Sequence, residues 1–122
     1  MDFELTVEQK MWRDVVHDFV EREVKPVAAA VDENEEINTE VIRKMGSIGM
    51  LGLNAPEEFG GAGVDAISSA IAIEELGWAC GSTALAVAAH NSLGCATLAL
   101  FGSHELQEKY LPAVVSGKGG LA

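Results

Sequence analysis

Between Ala84 and Phe101 the chain reads ALAVAAHNSLGCATLALF, eighteen residues without a formal charge. The whole sequence of 122 residues sets nineteen Asp and Glu against eight Lys and Arg, a net charge of −11. A run of this length can cross a bilayer, so it must be assigned before any fold is. A membrane span carries few polar groups and is flanked by Lys, Arg, Trp or Tyr anchors. Here alanine, which contributes little to insertion, is the commonest residue, and His90, Asn91 and Ser92 sit near the centre. No Lys or Arg occurs between Lys44 and Lys109. The run is therefore expected to be a helix surrounded by protein rather than a membrane span, since a helix that is apolar all round is a buried one.

Residues 66–79 form its hairpin partner, and the only carboxylates of the pair are Glu74 and Glu75. One domain of this size exposes a face of most of its helices, and the second half has too little polar surface for that. Another subunit, or more of the same polypeptide, is expected to cover the hairpin. The closing SGKGGLA reads as a turn followed by small apolar residues, as though a strand were about to begin.

The charge lies elsewhere: fourteen of the nineteen acids precede residue 60. They read as a solvated surface. With no cluster of cations, phosphate backbones and anionic lipid heads are excluded as partners. Cys80 and Cys95 are too few for a disulfide framework, lack metal-site spacing and lie in apolar surroundings. MDFELTVEQK shows no basic region followed by an apolar one, so no secretory signal is expected. A reducing compartment fits: the cytoplasm of a prokaryote, or the mitochondrial matrix if the source is eukaryotic.

The fold class is all-α, with five or six helices in a single domain over residues 1–122. Thr6-Val-Glu-Gln9 is a capping box, and behind it Trp12, Val15, Val16, Phe19 and Val20 recur at helical spacing. Pro26 is expected to end or kink this helix, with VAAAVDE continuing it for a turn or two. A second helix starts near Asn38 or Thr39 and buries Val41, Ile42 and Met45. NAPEEFGGAGVD is the longest break. Asp65 caps a third helix with Ile67, Ile71, Ile73 and Leu76 inward, closed by Gly77. The uncharged run follows, stopped by Gly102. Ser103 caps a last helix, with Leu106, Tyr110 and Leu111 facing inward.

Three segments taken together are similar to one family. LTVEQKMWRDVVHDFVEREVKPVAAAVDE, IRKMGSIGMLGLNAPEEFGGAGVD and AIAIEELGWACGSTALAVAAHNSLGCATLALFGSHELQEKYLPAVVSG resemble the amino-terminal helical domain of the acyl-CoA dehydrogenases. The APEEFGGAG loop, HNSL and the GSHELQEKYLP…SG ending, in this order and spacing, are the specific parts. Short-chain and branched-chain members look nearest. The resemblance implies a three-domain flavoenzyme, with a middle β-domain and a carboxy-terminal helical bundle outside this chain. It also implies FAD, a homotetramer, an electron-transferring flavoprotein as acceptor, and oxidation of acyl-CoA to 2,3-enoyl-CoA. That chemistry needs a base, donors to the thioester carbonyl and a held flavin. By the resemblance none of these falls on this chain, so no catalytic, cofactor-binding or metal-binding residue is expected here and the chain alone is expected to be inactive. An acyl-CoA oxidase or flavin monooxygenase of the same fold, or a non-catalytic helical interaction module, is the alternative.

What the resemblance does imply here is one wall of the acyl-chain pocket, formed by Leu85, Ala86, Ala89, His90 and Leu93. These positions share a helix face. Plain helix packing is the competing reading for Ala86 and Leu93, and a hydrogen-bonded histidine the preferred one for His90. Phe59, Gly60 and Gly61 border the pocket entrance or else form only a tight turn. His17 and His104 read as surface residues. Glu74 and Glu75 are expected to be partly buried, with partners outside this chain.

Overall fold

The computed structural model describes residues 1–119, so the strand expected to follow SGKGG lies outside the described residues. Among these residues seven α-helices join into five continuous rods. The first comprises α1 (Val7–Phe19) and α2 (Lys25–Glu33), joined through a π turn over Val20–Val24. Then come α3 (Thr39–Gly46) and α4 (Ala66–Ala79). A second joined rod, α5 (Gly81–Ala89) and α6 (Ala96–Phe101), contains a π turn over His90–Cys95, and α7 (His104–Val115) closes the order. No strand occurs among the described residues.

The caps fall where the sequence puts them. Thr6 Oγ1 accepts from the Gln9 amide at 3.2 Å, and the Thr6 amide donates to Gln9 Oε1 at 3.0 Å. Asn38, Asp65 and Ser103 each accept from an amide three residues on, which satisfies donors that a helix start leaves without partners. Asp65 also accepts from Gln9 Nε2 at 3.3 Å, and Trp12 Nε1 donates to the Ser68 carbonyl at 2.9 Å. These bonds tie α1 to α4 at their first turns.

Pro26 does not end the first helix. Just before it the backbone widens, the Lys25 amide reaching back to Val20 O in an i→i−5 bond, and α2 continues with Pro26 in its first turn. There the missing N–H costs nothing. Gly77 does not close α4 either: the helix runs on to Ala79 and stops at Cys80, whose backbone is extended at φ −155° and ψ 103°. A Cβ at Gly77 would meet Ala84 at an ordinary 3.8 Å, so α5 does not require a glycine there.

Two cores result. The larger joins Val16, Phe19 and Val20 of the first rod to Val41, Met45, Leu76 and the buried Met50–Leu53 segment. Val15 and Ile67, expected inward, are half exposed. The smaller core packs Leu111, Val114 and Val115 of α7 on Cys95, Ala55 and Phe59. Leu106 and Tyr110, also expected inward, are each 44% exposed, because only the carboxy-terminal half of α7 lies against the smaller core. Gln107 Nε2 donates to the carbonyls of Ala99 at 2.9 Å and Gly102 at 3.1 Å, closing the end of α6.

Glu75 finds its partner inside the chain rather than outside it: Oε2 lies 2.7 Å from His17 Nδ1. His17, read as a surface residue, bridges α1 to α4 and lies against the Trp78 ring, with centroids 5.3 Å apart. Glu74 is exposed. His104 is exposed as expected and pairs with Glu108 at 3.0 Å.

Candidate functional site

The continuous rod Gly81–Phe101 has the length and apolarity of a membrane span, yet only 22% of its most apolar stretch is buried within this chain. Its inner side is held by polar bonds. Asn91 Nδ2 donates to Met50 O at 2.8 Å and to Val87 O at 3.0 Å, while its Oδ1 accepts from the Leu53 amide at 2.9 Å. His90 Nε2 lies 3.0 Å from Leu51 O, and Cys95 Sγ donates to the same carbonyl at 3.4 Å. Consecutive residues of a regular α-helix point about 100° apart. The π turn accommodates His90 and Asn91 side by side against one segment, and such turns occur frequently at functional sites. Asn91 was not among the expected site residues. The signal was an amide in the middle of an apolar run, which needs a partner wherever it is buried.

The turn also re-registers the outer side. On an uninterrupted α-helix Leu93 would lie about 80° around from Leu85, eight residues earlier. The wider turn absorbs an extra residue and returns Leu93 toward the line of Leu85. Both stand clear of the chain, at 72% and 70% exposed, as do Leu100 and Phe101. Ala86 and Ala89 flank this strip, half buried.

The five candidates of the rod therefore occupy three settings. Leu93 lines an apolar groove of about 470 Å³ with Thr97, Leu98, Phe101 and Tyr110. His90 faces a separate cleft of about 600 Å³ between α3 and the turn after α7. Leu85, Ala86 and Ala89 line neither. Of the loop candidates, Phe59 is turned into the smaller core at 6% exposed, its ring 5.8 Å from that of His104. Gly60 takes the left-handed conformation at φ +89°, and a Cβ on Gly61 would run into the Ala55 carbonyl. This loop is fixed by backbone contacts and anchored by Phe59.

Chemically the site is quiet. Burial pushes the Cys95 thiol up to about 11, so it stays protonated and unreactive. Burial also disfavours the Cys80 thiolate, but hydrogen bonds from Ser82 and Thr83 outweigh it and hold that thiol below its usual range. Among the described residues no three His, Cys, Asp or Glu side chains gather around a point that could hold a metal ion. Every buried side-chain nitrogen or oxygen among them already has a partner within the chain. What the rod offers is an apolar surface with a rigid backing.

Known proteins share this arrangement. A probable acyl-CoA dehydrogenase, YngJ, of Bacillus subtilis is 47% identical over 117 residues, covering 96% of this chain and 31% of that protein. The short-chain specific acyl-CoA dehydrogenase of Clostridium acetobutylicum is 44% identical over 118 residues, covering 97% of this chain and 31% of that protein. The chain thus spans about a third of the length of the curated relatives it matches. The acyl-CoA dehydrogenase of Bacillus anthracis, solved in complex with FAD, superposes with a TM-score of 0.89 at 34% identity, covering 98% of this chain and 20% of that one. The family model for the N-terminal domain of acyl-CoA dehydrogenase matches residues 6–118, from the capping threonine to the turn after α7, and the chain belongs to that family.

Proposed function

We propose that this chain is the amino-terminal helical domain of an FAD-dependent acyl-CoA dehydrogenase that oxidises acyl-CoA thioesters to 2,3-enoyl-CoA. The observation that carries this reading is the uncovered apolar strip of Leu85, Leu93, Leu100 and Phe101, on a family member a third as long as its relatives. In the proposal a middle β-domain and a carboxy-terminal bundle cover that strip and complete an acyl-chain pocket. Leu85, Ala86, Ala89, His90 and Leu93 form one wall, with the two alanines leaving room between larger neighbours. Gly60 and Gly61 border the pocket entrance, and Phe59 anchors their loop.

Every buried polar side chain among the described residues already has a partner within the chain, which supports a flavin held mainly by groups outside it. The proposal accordingly assigns FAD and the catalytic base to parts of the enzyme outside residues 1–119. It includes an electron-transferring flavoprotein as acceptor, a homotetramer and a cytoplasmic setting.

The test is Ala89→Leu in the full-length enzyme, assayed on a chain-length series of acyl-CoA thioesters beside a thermal melt. Each methylene excluded from an apolar pocket costs about 0.8 kcal/mol. Long substrates should lose kcat/KM by large factors while the shortest barely change. If Ala89 only packs helix on helix, the same change overpacks a core at about 1–3 kcal/mol of stability. A lowered Tm with uniform loss across chain lengths would overturn the pocket reading.

A further inference from the structure

The cleft that His90 faces is not explained by an acyl-chain wall. It lies between α3 and the turn Ser116–Gly119, and two glycines let those elements meet. A Cβ on Gly46 would collide with the Ser116 carbonyl, and Gly117, at φ +81°, sits against the Arg43 backbone. The amides of Lys118 and Gly119 both donate to the Ala113 carbonyl at 3.0 Å, which fixes the turn. The result brings Lys118 and Arg43 to the lining of one cleft, together with Ile42 and Leu51.

The charge pattern here is opposite to that of the rest of the molecule. Nineteen acids are available to the chain, yet no Asp or Glu lines the cleft. Lys10, Arg22, Lys25 and Lys44 are ion-paired, whereas among the described residues Arg43 and Lys118, like Arg13 and Lys109 elsewhere, meet no carboxylate. A volume of about 600 Å³ is that of a small-molecule site.

We propose that this cleft is a second ligand site, taking a phosphate monoester carried on an apolar or aromatic body. Two cations balance the two charges of a phosphate monoester, where a carboxylate would leave one cation over. The planar guanidinium suits phosphate oxygens in a forked pair of bonds, and the lysine supplies a mobile point charge. Ile42 and Leu51 give the organic part its contact, beside the His90 ring. The proposal stands apart from the acyl-pocket reading, with which it shares only His90.

The test uses the isotope-labelled chain, following backbone amide shifts near neutral pH with three probes. Adenosine monophosphate should move Arg43, Leu51, Gly117 and Gly119 saturably. Inorganic phosphate should move the same amides with weaker affinity, and adenosine should not saturate. The double variant Arg43→Gln with Lys118→Gln should bind adenosine monophosphate about tenfold or more weakly, as expected for hydrogen bonds to a charged group. Arg13→Gln with Lys109→Gln, an equal change of net charge outside the cleft, should leave affinity unaltered. Adenosine binding as tightly as its monophosphate would overturn the proposal. So would undiminished binding by the Arg43→Gln, Lys118→Gln variant, or equal loss in Arg13→Gln with Lys109→Gln.

Discussion

Around α1, α3 and α4 the apolar side chains close one another off: Val16, Val20, Met45, Met50 and Leu76 have 1% or less of their surface exposed. Along the outer side of α5–α6, Leu85, Leu93, Leu100 and Phe101 lie between 70% and 84% exposed. Both regions are helices rich in apolar residues, and they differ in what surrounds them. The first has amphipathic partners, with charges on the far face. The second has almost no charges with which to face water, and its inner side is held by hydrogen bonds from the π turn as well as by packing. Apolar content alone therefore does not say whether a helix is finished. The distribution of charge around it does.

The largest separation of the two regions should come from truncating one leucine in each. Leu76→Ala removes a side chain with 0% exposure and should cost about 2–5 kcal/mol of unfolding free energy. Leu93→Ala, at 70% exposure, should stay within about 0.5 kcal/mol in this chain. Urea unfolding of both variants makes the comparison, and equal losses would mean that the outer strip is covered in solution, for instance by a second copy.

A smaller effect is expected at the seam between the regions. Asn91→Ala strands the Leu53 amide and the Met50 carbonyl, groups that Asn91 now satisfies. An unpaired buried group costs about 1–3 kcal/mol. Hydrogen exchange should locate that loss at the Leu53 amide, with faster exchange there than in α1. A global loss with no local acceleration would show that Asn91 acts only by filling space.

The smallest effect is electrostatic and belongs to the first region. The hydrogen bond to Glu75 raises the pKa of His17 above 6.5, against a burial penalty, helped by the charges of Glu75, Glu21 and Asp18. A raised histidine pKa stabilises the fold fully below the unfolded value and loses that contribution as pH rises through the folded one. Melting temperature should therefore fall slightly as pH climbs from about 6.5. His17→Gln should flatten that dependence, and a slope that survives the substitution would place its origin elsewhere.

What could be read from the sequence follows the range of the interaction. The caps at Thr6, Asp65 and Ser103 involve residues three apart and were legible, while the start near Asn38 or Thr39 left open which of the two would cap, and Asn38 does. The two π turns were not, since each depends on a local accommodation, around Pro26 in one rod and against Met50–Leu53 in the other. The face of α7 was read in part, rightly at Leu111 and wrongly at Leu106 and Tyr110, because the helix carries two apolar stripes. Leu106 and Tyr110 form one, while Leu111, Val114 and Val115 form the one that packs. Periodicity cannot choose between two stripes without the partner. The candidate wall residues are proposed through resemblance alone, because alanines and leucines on a helix carry no chemical signature. The cleft at Arg43 and Lys118 joins residues seventy-five positions apart, and no local pattern marks it.

The turn over His90–Cys95 also sets how this rod tolerates change in length as opposed to change in kind. Substitutions along α6 alter what the outer strip presents, one side chain at a time. Losing a single residue inside the turn would remove the one it absorbs and restore an unbroken α-helix, with the side chains downstream still on their present faces. Losing one from α6 ahead of Leu98 would instead swing everything beyond it by about 100°, and Leu98 would turn away from the smaller core. The turn holds one residue of slack between two half-helices, so the rod can give up a residue there without changing what its two ends present.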